Sequence, residues 1–413
     1  MRKILFTIMS LMVSCATYSQ DITGPWKGFL DVNGQKLGIV FKFSKTTDGI
    51  NLAKMDVPEQ GAVDIPMEIL YLSKDSLSLQ VKGIGITYSG KMEGEVIKGT
   101  FQQNGMSLPL DFKPGTSQAP NRPQEPKKPY PYNTQEVTFC NSSANVTLAG
   151  TLTYPVGYKR GKRVPIILMV TGSGPQERDE RIFDHNPFLV MADYLAKNGI
   201  ASLRYDDRGV GLSTGTFKGS TSADFAQDAK AGISYLRKDK QFGPVGILGH
   251  SEGGLIAFML GAEKTVDFIV SLAGPAIQGD SIIAEQTNAQ LLHYGQPATQ
   301  TVKKLREALT KAPKDAWMDY FINCDPTRYI CQITVPLMAI NGSKDHQVFP
   351  NSNLKRIEAL QKNGNKKNFI KIYPGLNHLF QHCDSGAGDE YWKIEETISP
   401  EVLKDIATWI HSL

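Results

Sequence analysis

The chain lacks the marks of several function classes. Its basic and acidic residues nearly balance, 45 against 41 in 413 residues, and no basic stripe alternates with aromatics, so nothing points to a nucleic-acid partner. Cysteine is scarce, at five. None falls in a Cys-x-x-Cys pair, and nothing reads as a metal site. The apolar run at residues 4–13 is too short to span a bilayer as a permanent helix. What remains is 41% hydrophobic and 21% charged, the composition of an ordinary soluble globular protein. The length is enough for two or three domains with a large core.

Residues 1–20 read as a secretory leader: Arg2 and Lys3, then the apolar run, then small and polar residues. The expected location is therefore periplasmic, extracellular or lipid-anchored in the envelope. Cys15 follows Val13 and Ser14 and is a candidate for lipid attachment, although Met12 stands where lipoprotein signals usually carry leucine. Cleavage near Ser19 or Gln20 is favoured over that anchor. Removing the leader leaves Cys140, Cys324, Cys331 and Cys383. Four cysteines allow three disulfide pairings, and free, partly buried thiols fit equally well.

Residues 21–113 carry short alternating or apolar runs separated by Asn33-Gly34, Asp48-Gly49 and Asn104-Gly105. Such dipeptides suit tight hairpins. Five or more short strands joined in this way predict a small antiparallel barrel or sandwich. It shows no catalytic constellation, and a structural or interface role is favoured over a binding module. Residues 114–133 hold Pro114, Pro120, Pro123, Pro126, Pro129 and Pro131, a composition that favours an extended, semi-rigid linker.

From Thr134 to the end, strand and helix patterns alternate, which predicts a mostly parallel α/β sheet. Within it the run Val245-Gly246-Ile247-Leu248 gives way to Gly249-His250-Ser251-Glu252-Gly253-Gly254. This is Gly-x-Ser-x-Gly between a buried strand and an apolar helix. Glycines on either side of Ser251 let strand and helix approach closely, and the helix N-terminus directs free amides at the hydroxyl. Ser251 is the candidate nucleophile. A second glycine-rich turn, Thr171-Gly172-Ser173-Gly174-Pro175, follows the strand at 164–170. Its Ser173 N–H, with the N–H of Glu252, is the expected oxyanion pair.

The loop from Asp206 to Ser213 is acidic and glycine-rich, and internal pairing of Asp207 with Arg208 is expected to fix its shape. Residues 276–325 break the strand-helix alternation and predict a helical cap over the site; no residue in them earns a site assignment.

Asp345 and His378 lie just beyond two later strands, at the sheet edge where ligands bind. Serine, acid and histidine then occur in the chain order of an α/β-hydrolase triad. The imidazole takes the serine's proton and the carboxylate orients the imidazole. His346, His382 and Asp384 are rivals, but His378 follows a strand and a Pro-Gly turn directly. His250 is expected to point away from the site.

With these residues in view, 166–413 resemble the α/β-hydrolase superfamily, and within it exported bacterial carboxylesterases, similar to dienelactone-hydrolase-like and serine-aminopeptidase-like members. The stretches Gly172-Ser173-Gly174-Pro175, Tyr205-Asp206-Asp207-Arg208-Gly209-Val210-Gly211 and Gly342-Ser343-Lys344-Asp345 carry the resemblance. Val57-Pro58-Glu59-Gln60-Gly61 resembles an accessory domain of an esterase subgroup likened to the thermophilic esterase D. The resemblance implies ester hydrolysis without metal or organic cofactor; the exported location makes a small-molecule or glycan-linked ester the expected substrate. One departure is Thr171, where many relatives have histidine; that position shapes the oxyanion loop and bears on substrate choice. The rival activity on the same fold is an exopeptidase or amidase, for which Asp280 and Glu285 in the cap are the candidate grips for an amino terminus. A reading of a different class is a glycan- or envelope-binding protein that keeps a vestigial hydrolase domain.

Overall fold

The computed structural model describes residues 22–32, 35–60, 62–116, 121–238, 240–362 and 364–413. The leader, Cys15, the Asn33-Gly34 turn, Gly61 and Pro120 lie outside them. The chain divides into two compact units, Met1–Pro58 with Ala62–Gln118, and Ala119–Leu413 with Glu59–Gly61.

The first unit is a meander of β1 (Gly24–Val32), β2 (Gln35–Lys45), β3 (Asn51–Val57), β4 (Ala62–Leu72), β5 (Ser76–Val81), β6 (Ile86–Glu93), β7 (Val96–Gln103), β8 (Met106–Pro109) and β9 (Phe112–Pro114). Each strand from β1 to β8 that follows a hairpin pairs antiparallel with its predecessor; β9 pairs with both β1 and β7, which closes the sheet into a barrel. Closure removes the unpaired edges that an open sheet would expose. Asn104 and Gly105 both have positive φ at the β7–β8 turn, as a two-residue Asn-Gly hairpin requires. The interior is filled by aromatics: Phe41 stacks on Phe112 with ring centroids 4.1 Å apart, and Tyr88 meets both edge-on. The buried Tyr88 hydroxyl donates to the Leu110 carbonyl at 3.0 Å.

The second unit carries an eight-stranded sheet of β10 (Thr134–Asn141), β11 (Val146–Thr153), β12 (Val164–Val170), β13 (Ala201–Tyr205), β14 (Phe242–His250), β15 (Phe268–Leu272), β16 (Leu337–Gly342) and β17 (Phe369–Tyr373). Their order is β10-β11-β13-β12-β14-β15-β16-β17, antiparallel through β10, β11 and β13 and parallel from β13 onward. β12 reads as an unbroken apolar run because both its faces are covered. Ile166, Leu168 and Val170 of β12 face one core with α2 (Ser222–Lys238) and α3 (Glu252–Ala262). Ile167 and Met169 face the other, with α1 (Pro187–Lys197) and α10 (Pro400–His411). Between β15 and β16 come α4 (Gly279–His293), α5 (Val302–Leu309), α6 (Ala316–Asn323) and α7 (Thr327–Ile330); after β16 come α8 (Leu354–Leu360) and α9 (Gly388–Tyr391).

The proline-rich segment is not a free spacer over its described length. Arg122 donates to the carbonyls of Phe183, Asp184, Trp392 and Ile394, Gln124 brackets Thr397 and Ile398, and the Tyr132 hydroxyl donates to Asp193. The polar side chains between the prolines find main-chain acceptors on the second unit, which composition alone does not reveal. The four cysteines among the described residues are free thiols. No helix among them is long and apolar enough to cross a membrane.

Candidate active site

Ser251 joins β14 to α3 with φ 54° and ψ −118°, a conformation that costs energy for any residue but glycine. It persists because its ends are tied: Ser251 N–H donates to the Leu272 carbonyl and its own carbonyl accepts from Gly254 N–H, both at 2.8 Å. The flanking glycines are steric necessities. A Cβ on Gly249 would stand 1.9 Å from the Gly253 carbonyl oxygen, and one on Gly253 would stand 2.2 Å from that of Val170. The turn leaves Ser251 partly exposed, at the mouth of a cavity of about 180 Å³.

His378 lines the same cavity. It follows β17 by five residues, in a turn that Asn377 fixes by accepting from the N–H groups of Leu379 and Gln381. His378 Nδ1 lies 2.8 Å from Asp345 Oδ2. Asp345 is buried and also takes hydrogen bonds from Asn341 and from the main-chain N–H groups of Gln347 and Val348. These four contacts fix both carboxylate oxygens, so the acid can orient the imidazole without swinging. Ser173 and Glu252 border the cavity as well, and no acceptor among the described residues takes the N–H of either. His346 stacks on Phe349, while His382 bonds Glu396 at the surface; neither lines the cavity. His378 and His382 are four residues apart, but their segment is irregular and sends them to different partners. No group of three His, Cys, Asp or Glu among the described residues is placed to hold a metal ion.

Several contacts depart from the sequence expectations. Asp207 and Arg208 do not pair with each other. Arg208 makes a buried bidentate pair with Asp228 of α2, and Asp207 accepts from the Thr171 hydroxyl and Gln176 N–H. The loop is thus held between a helix and the glycine-rich turn at 171–175, with partners too far along the chain for local spacing to show. Burial pushes the Asp207 carboxyl well above its usual range, against the pull of those two donors. Next to it, Arg178 grips Asp206 through two nitrogens at 2.9 and 2.8 Å.

His250 does not point away from the site. It lines the cavity, with Nδ1 3.0 Å from Glu180 and Nε2 3.0 Å from the His378 carbonyl. It ends β14 just where the regular alternation gives way to the turn, so alternation cannot place its side chain.

The cap also supplies a contact that sequence pattern did not single out. Trp317 of α6 donates its indole N–H to the Glu252 carboxylate at 2.8 Å, and the Ser222 hydroxyl donates to the same oxygen. Burial raises the Glu252 carboxyl while these donors oppose the rise. Ile282, Ile283 and Phe321 complete an apolar cap-side wall. Asp280 and Glu285 turn elsewhere: Asp280 pairs with Arg306 and Glu285 accepts from Ser352. Neither lines the cavity.

The family described as serine aminopeptidase, S33, matches residues 186–318, a span that includes Ser251 and most of the cap. Esterase EstD of Thermotoga maritima is 27% identical over 277 residues, 64% of this chain and 65% of the esterase. The chain thus spans less than two thirds of that relative. An acyl transferase of Photobacterium leiognathi is 26% identical over 198 residues, 46% of this chain and 59% of the transferase. Among solved structures, the Pyrococcus furiosus esterase Pf2001 is similar over 68% of this chain and 90% of its own, with TM-score 0.46 and 17% identity. By its sheet order and its strained serine turn the second unit has an α/β-hydrolase fold, and the chain is similar to the serine aminopeptidase, S33 family over residues 186–318 and to Esterase EstD.

Proposed function

We propose that the chain hydrolyses carboxylic esters of short acyl groups through an acyl-enzyme on Ser251. The observation that carries this reading is one cavity bordered by a serine on a strained strand-helix turn and by a histidine whose far nitrogen is bound to a buried aspartate. In this reaction His378 accepts the Ser251 proton as the hydroxyl attacks the ester carbonyl. Asp345 holds the imidazole and stabilises its cationic form. The N–H groups of Ser173 and Glu252 receive the developing oxyanion. His378 then protonates the departing alkoxide, and a water activated by the same imidazole releases the acid. The cavity of about 180 Å³ is smaller than the roughly 300–1,000 Å³ of sites that take drug-sized ligands, which favours small acyl groups. An ester is favoured over a peptide amino terminus because Asp280 and Glu285 are engaged outside the cavity.

The test is hydrolysis of p-nitrophenyl acetate, butyrate and octanoate beside amino-acyl p-nitroanilides. The expected result is turnover of acetate and butyrate ahead of octanoate, abolished by Ser251→Ala. Faster cleavage of the anilides would favour the exopeptidase. We propose export as well, on the residues of the leader; the mass of the mature chain from its native host would show cleavage near Ser19 or Gln20, or a lipid on Cys15.

A further inference from the structure

Two buried ionisable side chains at the cavity have no part in the reaction as proposed. Glu180 is 2% exposed and His250 6%. Glu180 lies between β12 and α1 with φ 54°, a left-handed conformation a glutamate holds only where its surroundings impose it. Its Oε1 accepts from Gly172 N–H at 2.8 Å and lies 3.0 Å from His250 Nδ1. The other His250 nitrogen is 3.0 Å from the His378 carbonyl oxygen, and the two imidazole rings are 4.7 Å apart.

The partners decide the protonation. A carbonyl oxygen only accepts, so His250 Nε2 carries a proton. Glu180 Oε1 accepts from Gly172 N–H and faces Nδ1, so the contact is either an imidazolium beside a carboxylate or a neutral imidazole accepting from the acid; the raised pKa of His250 favours the imidazolium. Burial opposes that charge, but Glu180, the His378 carbonyl and Asp345 together outweigh it, and the His250 pKa lies above its ordinary value. As a stabilising device this is a poor choice, since a buried ion pair often does no better than apolar residues of the same volume. Its geometry suits another task.

Resting on the esterase reading, we propose that Glu180 and His250 are positioning residues: Glu180 fixes Gly172 and with it the adjoining Ser173 N–H, His250 fixes the main chain of His378, and the ion pair between them sets the span from oxyanion donor to general base. Gly172 is the right neighbour for this, because a Cβ there would stand 3.3 Å from the Ser251 Cβ. The turn therefore passes directly over the nucleophile. A span set by one rigid pair matters because displacements of about 1 Å in such sites cost about 100-fold in rate.

The test uses the full chain with Glu180→Gln, which keeps the side-chain size and the acceptor for Gly172 but removes the charge that holds the second proton on His250. The expected result is kcat on p-nitrophenyl acetate lower by about 10- to 100-fold with KM little changed. The rate of Ser251 labelling by a fluorophosphonate should fall in step. Nitrogen-15 NMR of the histidines, with His250 assigned through His250→Gln, should show two protonated ring nitrogens in the native chain and in Ser251→Ala, and one in Glu180→Gln. A single protonated nitrogen on His250 in the native chain overturns the proposal, and so does a Glu180→Gln variant that loses the second proton yet labels and turns over at the native rate. Should Glu180→Gln fail to fold, the native spectrum still decides. Labelling of Ser251 without ester turnover would instead contradict the esterase reading, while the labelling rates still test the pair.

Discussion

The two units spend their buried polar groups differently. In the barrel, the pairing of β9 with both β1 and β7 closes the sheet, and the buried Tyr88 hydroxyl is satisfied by a main-chain carbonyl among stacked rings. At the carboxyl edge of the second unit's sheet, a serine and a glutamate with positive φ and the buried carboxyl groups of Glu180 and Glu252 border one cavity, with buried Asp345 behind His378. Such strain and burial are tolerated where many contacts over-determine them and where they have a chemical task. The difference locates the chemistry: the barrel's interior is built for stability, and the sheet edge gives up stability for geometry.

Substitutions should divide along the same line. The largest effect is expected at the edge: Ser251→Ala should lower kcat on p-nitrophenyl acetate by about 10⁴- to 10⁶-fold without moving the melting temperature much. Asp345→Asn should cost about 10⁴-fold, because the histidine then loses its oriented tautomer. In the barrel the reverse is expected. Phe41→Ala removes a fully buried ring and should destabilise the first unit by about 3–5 kcal/mol in urea unfolding while kcat stays near native. A large loss of kcat in a folded Phe41→Ala chain would break the comparison.

Two buried histidines sharpen it through pH. Burial, aided by Arg122, depresses His185 from 6.5 to about 4, so the folded state binds fewer protons than the unfolded one between those values. The stability that neutral His185 contributes is complete above about 6.5 and is lost as pH falls towards 4, amounting to about 3 kcal/mol. His250 has the opposite sign: its raised pKa contributes stability below 6.5 that disappears as pH rises through the folded value. Urea midpoints across pH should therefore decline on the acid side, and His185→Asn should flatten that decline. Weakest of the effects, Trp317→Phe keeps the ring but removes the donor to Glu252 and should lower kcat/KM about tenfold. Loss of that effect on octanoate alone would assign Trp317 to the acyl wall.

What the sequence made legible follows the range of its signals. The Asn-Gly hairpin, the glycines at 249 and 253 and the strand ends before Asp345 and His378 are local patterns, and the barrel, the sheet and the cap are where those patterns put them. The unbroken apolar run of β12 suits a strand covered on both faces, and its alternate residues serve opposite cores. What stayed hidden is non-local. Glu180 and His250 are 70 residues apart, Trp317 reaches Glu252 across 65, and Arg122 finds carbonyls about 270 residues on. No spacing rule links such pairs. The Asp207–Arg208 expectation failed for the same reason: adjacent opposite charges look self-sufficient until Thr171 and Asp228 arrive from elsewhere in the chain.

The most direct measurement is active-site labelling. The full chain treated with a fluorophosphonate, digested and analysed by mass spectrometry should carry one adduct, on the peptide containing Ser251. The adduct should be absent from Ser251→Ala and formed far more slowly in His378→Ala. A native chain left unlabelled, or labelled equally well at another serine, would contradict the account.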